Sequence, residues 1–418
     1  MQPEKGSPGA VGRIPHGFSL RPVASEDDAL RYAELNQAVA REGEIALRLI
    51  RHRPDGDRGD FVMAVEDASG RVVSTTCLLR WHLSLQGVKL RAAMLEMVVT
   101  DPAFRRHGLV REQIDAFHDR ARADGADLCI IQGIPYYYRQ FGYGYALDHF
   151  RQVSIAAPRV AEAAPAGTLV LRPCSRADVP VLQALHDLAM SRQGMAVLRA
   201  ARDWDYLLTR AGRSVDVVEK AGHGIPVGYV TRGDDGAHVA VAESALRDPA
   251  DAPALLALLA GGRTGTVVIG GNRADPLYRT AENLGGRAET TGQWLVRFPD
   301  PVGFLARLTP VLNSRLGRAG LSGVDTEIIV NLYRSAIRMR LTGGRVASVE
   351  DAGFIDSSIG SSGGDLCIPP EAFARIVLGC RDLDQLRDAW PDIEVRPASR
   401  PLIEVLFPRF ESLVLMPY

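Results

Sequence analysis

Leu95-Glu-Met-Val-Val-Thr-Asp-Pro-Ala-Phe-Arg-Arg-His-Gly-Leu-Val-Arg111 is the stretch on which the fold of this 418-residue chain turns. A Val-rich extended run ends at Asp101-Pro102. A loop carrying Arg105, Arg106 and Gly108 follows. It opens directly into a helix predicted from Leu109 to Ala123, with Val110, Ile114, Phe117 and Ala121 on one apolar face. A helix N-terminus presents unpaired N–H groups and about half a unit of positive charge. Gly108 lets the backbone close in on a bulky anion. Strand, loop and helix in that order make a pyrophosphate cradle. The bland alternative is a surface loop with solvated arginines.

Upstream, Phe18–Val23 reads as a short strand. Ser25-Glu-Asp-Asp28 is a helix start with Ser25 as N-cap. Strands are predicted near Phe61–Glu66, Val72–Leu79 and Leu90–Thr100, and again at Leu128–Gln132 after the helix. Downstream, Ala156–Gly167 is rich in Ala and Pro and reads as a linker. Part of the opening then returns. Leu171-Arg-Pro173 repeats Leu20-Arg-Pro22 before another polar helix start, Ser175-Arg-Ala-Asp178. Strands near Val217–Glu219, Val227–Thr231 and Val239–Ala245 echo the first set, so an internal duplication is expected. From about Pro301 the texture changes. Paired strands at Thr326–Tyr333 and Ala336–Leu341 and short helices at Pro370–Gly379 and Leu383–Ala389 indicate a third, α+β domain.

The expected division is a leader at 1–16, a first domain at 17–153, a linker at 154–168, a second domain at 169–300 and a third at 301–418. A length of 418 residues exceeds what one core sustains. Net charge is −1, from 49 basic and 50 acidic residues, which points to neither nucleic acid nor an anionic membrane as partner. No apolar run approaches the ~20 residues of a membrane span. Cys77, Cys129, Cys174, Cys367 and Cys380 are scattered, without a C-x-x-C pair, and fit buried thiols in a reducing, cytoplasmic setting. No His/Asp/Glu cluster has metal-ligand spacing and no G-x-S-x-G elbow occurs, so no metal site is expected.

The stretch Arg105-Arg-His-Gly108-Leu-Val110 resembles the acetyl-CoA signature Q/R-x-x-G-x-G/A of the GNAT acetyltransferase superfamily. Val110 departs from the usual Gly or Ala. The resemblance implies that Val98, Val99 and Thr100 bond the pantetheine arm as a strand would. It also implies that Arg105, Arg106, His107, Gly108, Leu109, Val110 and Arg111 hold the pyrophosphate, with Gly133 and Ile134 completing the cofactor contacts. A second marker is Gly133-Ile-Pro-Tyr-Tyr-Tyr-Arg-Gln-Phe-Gly-Tyr-Gly144. GNAT proteins often place here a tyrosine that protonates the departing thiolate. Tyr138, three residues before Phe141, has the spacing of the enhanced-intracellular-survival acetyltransferases. Those proteins join two GNAT folds with mixed central sheets to an α+β domain like a sterol carrier protein. The implied fold class is therefore α/β with tandem GNAT units plus that third domain. The second unit, which reads Leu246-Arg-Asp-Pro-Ala-Asp-Ala252 after its strand, lacks the Arg-x-x-Gly loop and is expected to bind no CoA.

An aliphatic amine of pKa ~10.4 is about one part in 10³ neutral at pH 7, so a base near the acceptor is expected. Glu96 has the strand parity of Val98 and Thr100, which places it on their face; pairing with a nearby arginine is the alternative. In the resembled group the terminal carboxylate serves as base, a role that falls to Tyr418 here; a solvated tail is the alternative. The implied reaction is transfer of an acetyl group from acetyl-CoA to a primary amine of a small molecule such as an aminoglycoside or polyamine. The alternatives are a protein or peptide lysine acceptor, or a non-catalytic acyl-CoA or lipid binder. A homo-oligomer is expected by analogy.

Overall fold

The computed structural model describes residues 14–163, 167–210, 214–356 and 363–415. Residues 1–13 of the expected leader, and Tyr418, lie outside them.

The first segment contains β1 (Phe18–Pro22), α1 (Glu26–Ala40), α2 (Gly43–His52), β2 (Phe61–Glu66), β3 (Val72–Leu85), β4 (Val88–Thr100), α3 (Leu109–Ala123), β5 (Leu128–Ile131) and β6 (Gly144–Ala156). Strands β1 to β4 pair antiparallel in chain order, and β4 pairs β5 parallel. One face of this sheet packs Met63, Leu79 and Met94 against Tyr32 of α1 and Leu49 of α2. The other packs Leu95 and Ile131 against Ile114 and Phe117 of α3. The expected cap of α1 forms: Asp28 N donates to Ser25 Oγ at 3.1 Å, while the Asp28 carboxylate accepts from Ser25 N at 3.3 Å. Helix α2 is an addition to the sequence reading. Ala46, Leu49 and Ile50 bury its apolar face, and their helical spacing in a ten-residue segment was the available signal.

The second segment contains α4 (Ala157–Ala163), β7 (Leu169–Pro173), α5 (Val179–Met190), β8 (Met195–Leu198), α6 (Ala201–Thr209), β9 (Val215–Lys220), β10 (Pro226–Asp234), β11 (Val239–Leu246), α7 (Ala252–Ala260), β12 (Thr266–Gly270), α8 (Pro276–Asn283) and β13 (Arg287–Arg297). Helix α4 and the end of β6 occupy most of the stretch read as a linker. Its alanines are strong helix formers, and Ala157 and Val160 are fully buried beside Leu255 and Leu256 of α7. The repeated opening is structural as well. Arg21 pairs with Asp28 at 2.9 Å, and Arg172 pairs with Asp178 at 2.6 Å.

These two segments share one sheet in the order β1-β2-β3-β4-β5-β13-β6-β12-β11-β10-β9-β7. Strand β13, late in the chain, lies between β5 and β6, with Leu295 opposite Ile131. Strand β6 in turn continues to β12, with Val267 opposite Ile155. Each segment thus completes its sheet with a strand supplied by the other.

The remainder forms a five-stranded sheet of β14 (Thr326–Asn331), β15 (Ala336–Thr342), β16 (Arg345–Gly353), β17 (Leu366–Cys367) and β18 (Glu394–Val395). Helices α9 (Pro301–Arg307), α10 (Thr309–Arg318), α11 (Pro370–Val377), α12 (Leu383–Ala389) and α13 (Arg400–Leu406) accompany it, and β19 (Ser412–Leu413) returns to the large sheet beside β8. Among the described residues no helix is long and apolar enough to cross a membrane. None of the five cysteines forms a disulfide, and burial pushes the Cys129 thiol up to about 11.

Candidate functional site

The site begins where β4 and β5 part. Their ladder runs from Ala92 opposite Leu128 to Met94 opposite Ile130 and ends there, while β4 continues to Thr100. The ladder's end exposes a length of strand edge to an extended ligand. Within it Met97 is left-handed, with φ 54°, and the register against β3 slips between Cys77–Glu96 and Thr75–Val99. This is a β-bulge, and a bulge re-aims the side chains on either side of it.

The bulge corrects the parity expected for Glu96. Opposite Cys77, Glu96 stands on the α1 face, whereas Val98 packs with the α3 cluster and Thr100 meets Ser74 Oγ at 2.8 Å beside Gln113 of α3. Unbroken alternation would have put all three on one face; one extra residue inverts that. Val99, buried with Met97 and Cys77, lies on the Glu96 side. Gln113, fully buried, ties α3 to the sheet through a 2.7 Å bond from Ser74 Oγ. Its signal in the sequence was a polar residue among the apolar positions of an amphipathic helix.

The loop before α3 leads from Asp101 to Gly108. Asp101 caps a short 3₁₀ turn, accepting from Ala103 N at 2.9 Å. Arg106 (φ 68°) and Gly108 (φ 80°) are both left-handed, and Gly108 is the N-cap of α3. A helix N-terminus leaves unpaired N–H groups that favour an anion. His107 turns its Nδ1 back to within 3.1 Å of the Phe104 and Arg105 carbonyl oxygens, so its ring braces the loop. Leu109 is buried against Ala64 and Val73, so its contribution to a ligand is its main chain. Arg111 reaches across to Gln140 Oε1 at 2.9 Å and lies 5.1 Å over the Phe141 ring. The first turn of α3 is thereby tied to the tyrosine segment.

That segment follows β5 and makes a 3₁₀ turn at Tyr137–Phe141. The three tyrosines separate sharply. Tyr136 is left-handed (φ 70°) and 75% exposed, Tyr137 is intermediate, and Tyr138 is 5% exposed. Burial pushes the Tyr138 phenol above its ordinary range, with the Tyr137 phenol and the Glu96 carboxylate adding to the effect. A phenol so held keeps its proton at pH 7. Glu96 is thus electrically close to Tyr138 although the two arrive from different strands. Gly133 owes its identity to the same ring: a Cβ there would come closer than 3.0 Å to two Tyr138 ring carbons. Its visible role is to seat Tyr138. Ile134 is 65% exposed at the rim.

Behind Tyr138, the Tyr143 hydroxyl bonds His118 Nε2 of α3 at 3.0 Å. Burial, with the nearby Arg297 and Arg122 charges, lowers His118 to about 4, so it is neutral at pH 7. Arg297 comes from β13, where it stands opposite Cys129. The exchanged strand therefore supplies part of the site's back wall. Among the described residues no group of His, Cys, Asp and Glu is arranged to hold a metal ion.

Residues 21–146 match the family model described as an acetyltransferase (GNAT) domain. No curated protein sequence matches the chain. Among solved structures, a conserved protein of Enterococcus faecalis V583, described as a probable N-acyltransferase, is similar with a TM-score of 0.74 at 13% identity, covering 96% of this chain and 100% of that one. A GCN5-related N-acetyltransferase from Anabaena variabilis has a TM-score of 0.72 at 13% identity, covering 95% and 99%. Eis1 from Mycobacterium abscessus has 0.63 at 15%, covering 96% and 100%. At these identities the structural likeness establishes the mixed α/β fold over nearly the whole chain. The domain match establishes the chemistry of its first third: the chain is an N-acyltransferase with a GNAT acetyltransferase domain at residues 21–146, and such domains use acetyl-CoA as acyl donor.

Proposed function

We propose that the chain transfers the acetyl group of acetyl-CoA directly to a primary amine of a small molecule, an aminoglycoside, a polyamine or another amine metabolite. The observation that carries this reading is the parting of β4 from β5 beside the left-handed loop that opens α3, with Tyr138 buried at its base. The β4 edge around Val98, Val99 and Thr100 would pair with the pantetheine arm, with Gly133 and Ile134 at the far wall. The N–H groups from Arg105 to Arg111 would hold the pyrophosphate.

The acceptor nitrogen, once neutral, attacks the thioester carbonyl carbon. The C–N bond forms, the C–S bond breaks, and the thiolate sulfur takes the Tyr138 hydroxyl proton. The ammonium proton passes to a base. Glu96, on the opposite face of the β4 bulge from Val98, is one candidate. The carboxylate of Tyr418 is the other, by resemblance to the enhanced-intracellular-survival enzymes. In this reading the first two segments are tandem GNAT units, the second without a cofactor, and residues 301–418 are a domain like a sterol carrier protein. The chain works in the cytoplasm as a homo-oligomer, with neither nucleic acid nor membrane as partner. Thiol release from acetyl-CoA with a panel of aminoglycosides, polyamines and lysine peptides tests it. Turnover with small amines alone is expected, and turnover with peptides alone would overturn it.

A further inference from the structure

Ser74-Thr75-Thr76 places three hydroxyl side chains in the middle of β3, none of them more than 2% exposed. Burying a hydroxyl is unfavourable unless its bonds are made inside. The bonds of Thr75 lead to the β4 bulge. Its Oγ1 donates to the Met97 carbonyl oxygen at 3.0 Å and accepts from Asn36 Nδ2 of α1 at 3.1 Å. Asn36, also fully buried, gives its second Nδ2 proton to the Tyr32 carbonyl oxygen at 2.8 Å. That carbonyl can only accept, so it fixes which way the Asn36 amide points. The bonds thus run in one direction, from α1 through β3 to β4. On the other face the neighbouring Ser74 Oγ meets the Val99 carbonyl oxygen at 3.0 Å.

The chain of bonds ends on the left-handed residue. Between the pairs Thr75–Val99 and Cys77–Glu96, β3 has one residue, Thr76, and β4 has two, Met97 and Val98. Met97 absorbs the extra length at φ 54°, a conformation that costs a non-glycine residue. A buried bond to its carbonyl offsets that cost. The bond also sets a direction. Met97 O faces β3 through Thr75, and across a trans peptide the next N–H points the opposite way. Strand β3 lies on one side of β4 and the parted β5 on the other, so Val98 N–H faces the open edge. In the second segment the β10/β11 pair also slips register, between Thr231 and Arg232, yet no residue of β11 is left-handed. Of the two bulges, the left-handed residue held by a threonine is particular to the one beside Tyr138.

We propose that Thr75, oriented by Asn36, is a positioning residue of the active site: it holds Met97 left-handed, and so aims Val98 N–H at the edge where the acyl donor lies and keeps Glu96 on the α1 face. The role at that edge rests on its reading as the acetyl-CoA site. Thr75→Val and Asn36→Leu remove the bonds with little change of volume, and Thr75→Ser keeps the hydroxyl. Thr75→Val and Asn36→Leu are each expected to lower kcat for thiol release from acetyl-CoA, with the aminoglycoside and polyamine panel, about tenfold or more. Thr75→Ser should keep most of the native kcat. Affinity for CoA by calorimetry should be unchanged in all three, since the Gly108 loop is untouched. Amide exchange at residues 97–99 should be faster in Thr75→Val and Asn36→Leu than in the native chain or Thr75→Ser. Full turnover in folded Thr75→Val overturns the positioning role. Thr75→Ser as slow as Thr75→Val assigns the loss to packing and overturns it too, as does an equal loss of CoA affinity. Should Thr75→Val fail to fold, Asn36→Leu carries the same comparison. A native chain that releases no thiol with any amine removes the reading of the edge and the role at it together. Exchange at 97–99 then decides the clamp separately, and exchange unchanged in both Thr75→Val and Asn36→Leu overturns it.

Discussion

Gly133→Ala is the smallest change that tests how the proposed acid is held. Its Cβ would come closer than 3.0 Å to Cδ2 and Cε2 of Tyr138 and 3.2 Å from Cγ, against an ordinary contact of 3.4 Å or more. The ring is packed by Tyr137, Phe141 and Tyr143, with centroids 5.1, 6.5 and 6.3 Å away, and has nowhere to retreat without moving them. Overpacking of this kind costs about 1–3 kcal/mol of stability. The catalytic cost is larger. A displacement of roughly 1 Å in a reacting group lowers rate by about 10²-fold, within the ~10²–10⁴ that removal of a general acid costs. Steady-state thiol release should therefore show kcat down by about two orders of magnitude, with acetyl-CoA affinity by calorimetry little changed. In Tyr138→Phe the same alanine should add much less, since the hydroxyl it misplaces is gone. Full turnover in a folded Gly133→Ala would refute the assignment of Gly133 to seating a catalytic Tyr138.

Tyr138→Phe should lower turnover at least about tenfold, and Tyr136→Phe and Tyr137→Phe far less; an inactive Tyr137→Phe beside an active Tyr138→Phe would move the acid by one residue. Gly108→Trp should abolish acetyl-CoA binding in calorimetry, because φ 80° disfavours any side chain and an indole would fill the cradle; a folded variant with full affinity would remove the loop from the site. Asp275, fully buried, is raised by burial to about 6 from 3.8 despite accepting from Ser244 Oγ at 2.7 Å. A carboxyl raised on folding contributes stability below its unfolded pKa and loses it as pH climbs through the folded one. Asp275→Asn should therefore gain about 3 kcal/mol relative to the native chain between pH 3.8 and pH 6 in denaturant titrations, and a constant difference across that window would refute the argument. Light scattering should report an oligomer, and a monomer at micromolar concentration would contradict that expectation.

Local signals were legible wherever neighbouring residues fix the outcome. The Ser25 cap and the bounds of α3 depend on chain within a few residues. The repeated Leu-Arg-Pro openings were likewise readable, because each sets an arginine beside its own helix-capping aspartate. Glu96 was misplaced because strand parity assumes unbroken alternation, and no residue type marks Met97 as the bulge. The linker was misread because Ala-rich sequence becomes helix when another helix, α7, offers it an apolar surface.

By itself, then, the sequence determined a strand, a loop, the helix Leu109–Ala123 and a further strand before the tyrosine segment, in that order. Tertiary structure decided which strands complete which sheet. The exchange of β6 and β13, the bond from Asn272 to Ser412 and the route of residues 410–415 to Trp294 join residues more than 100 positions apart. Such pairings are chosen by edge complementarity and shared burial across the whole chain, and no local propensity encodes them.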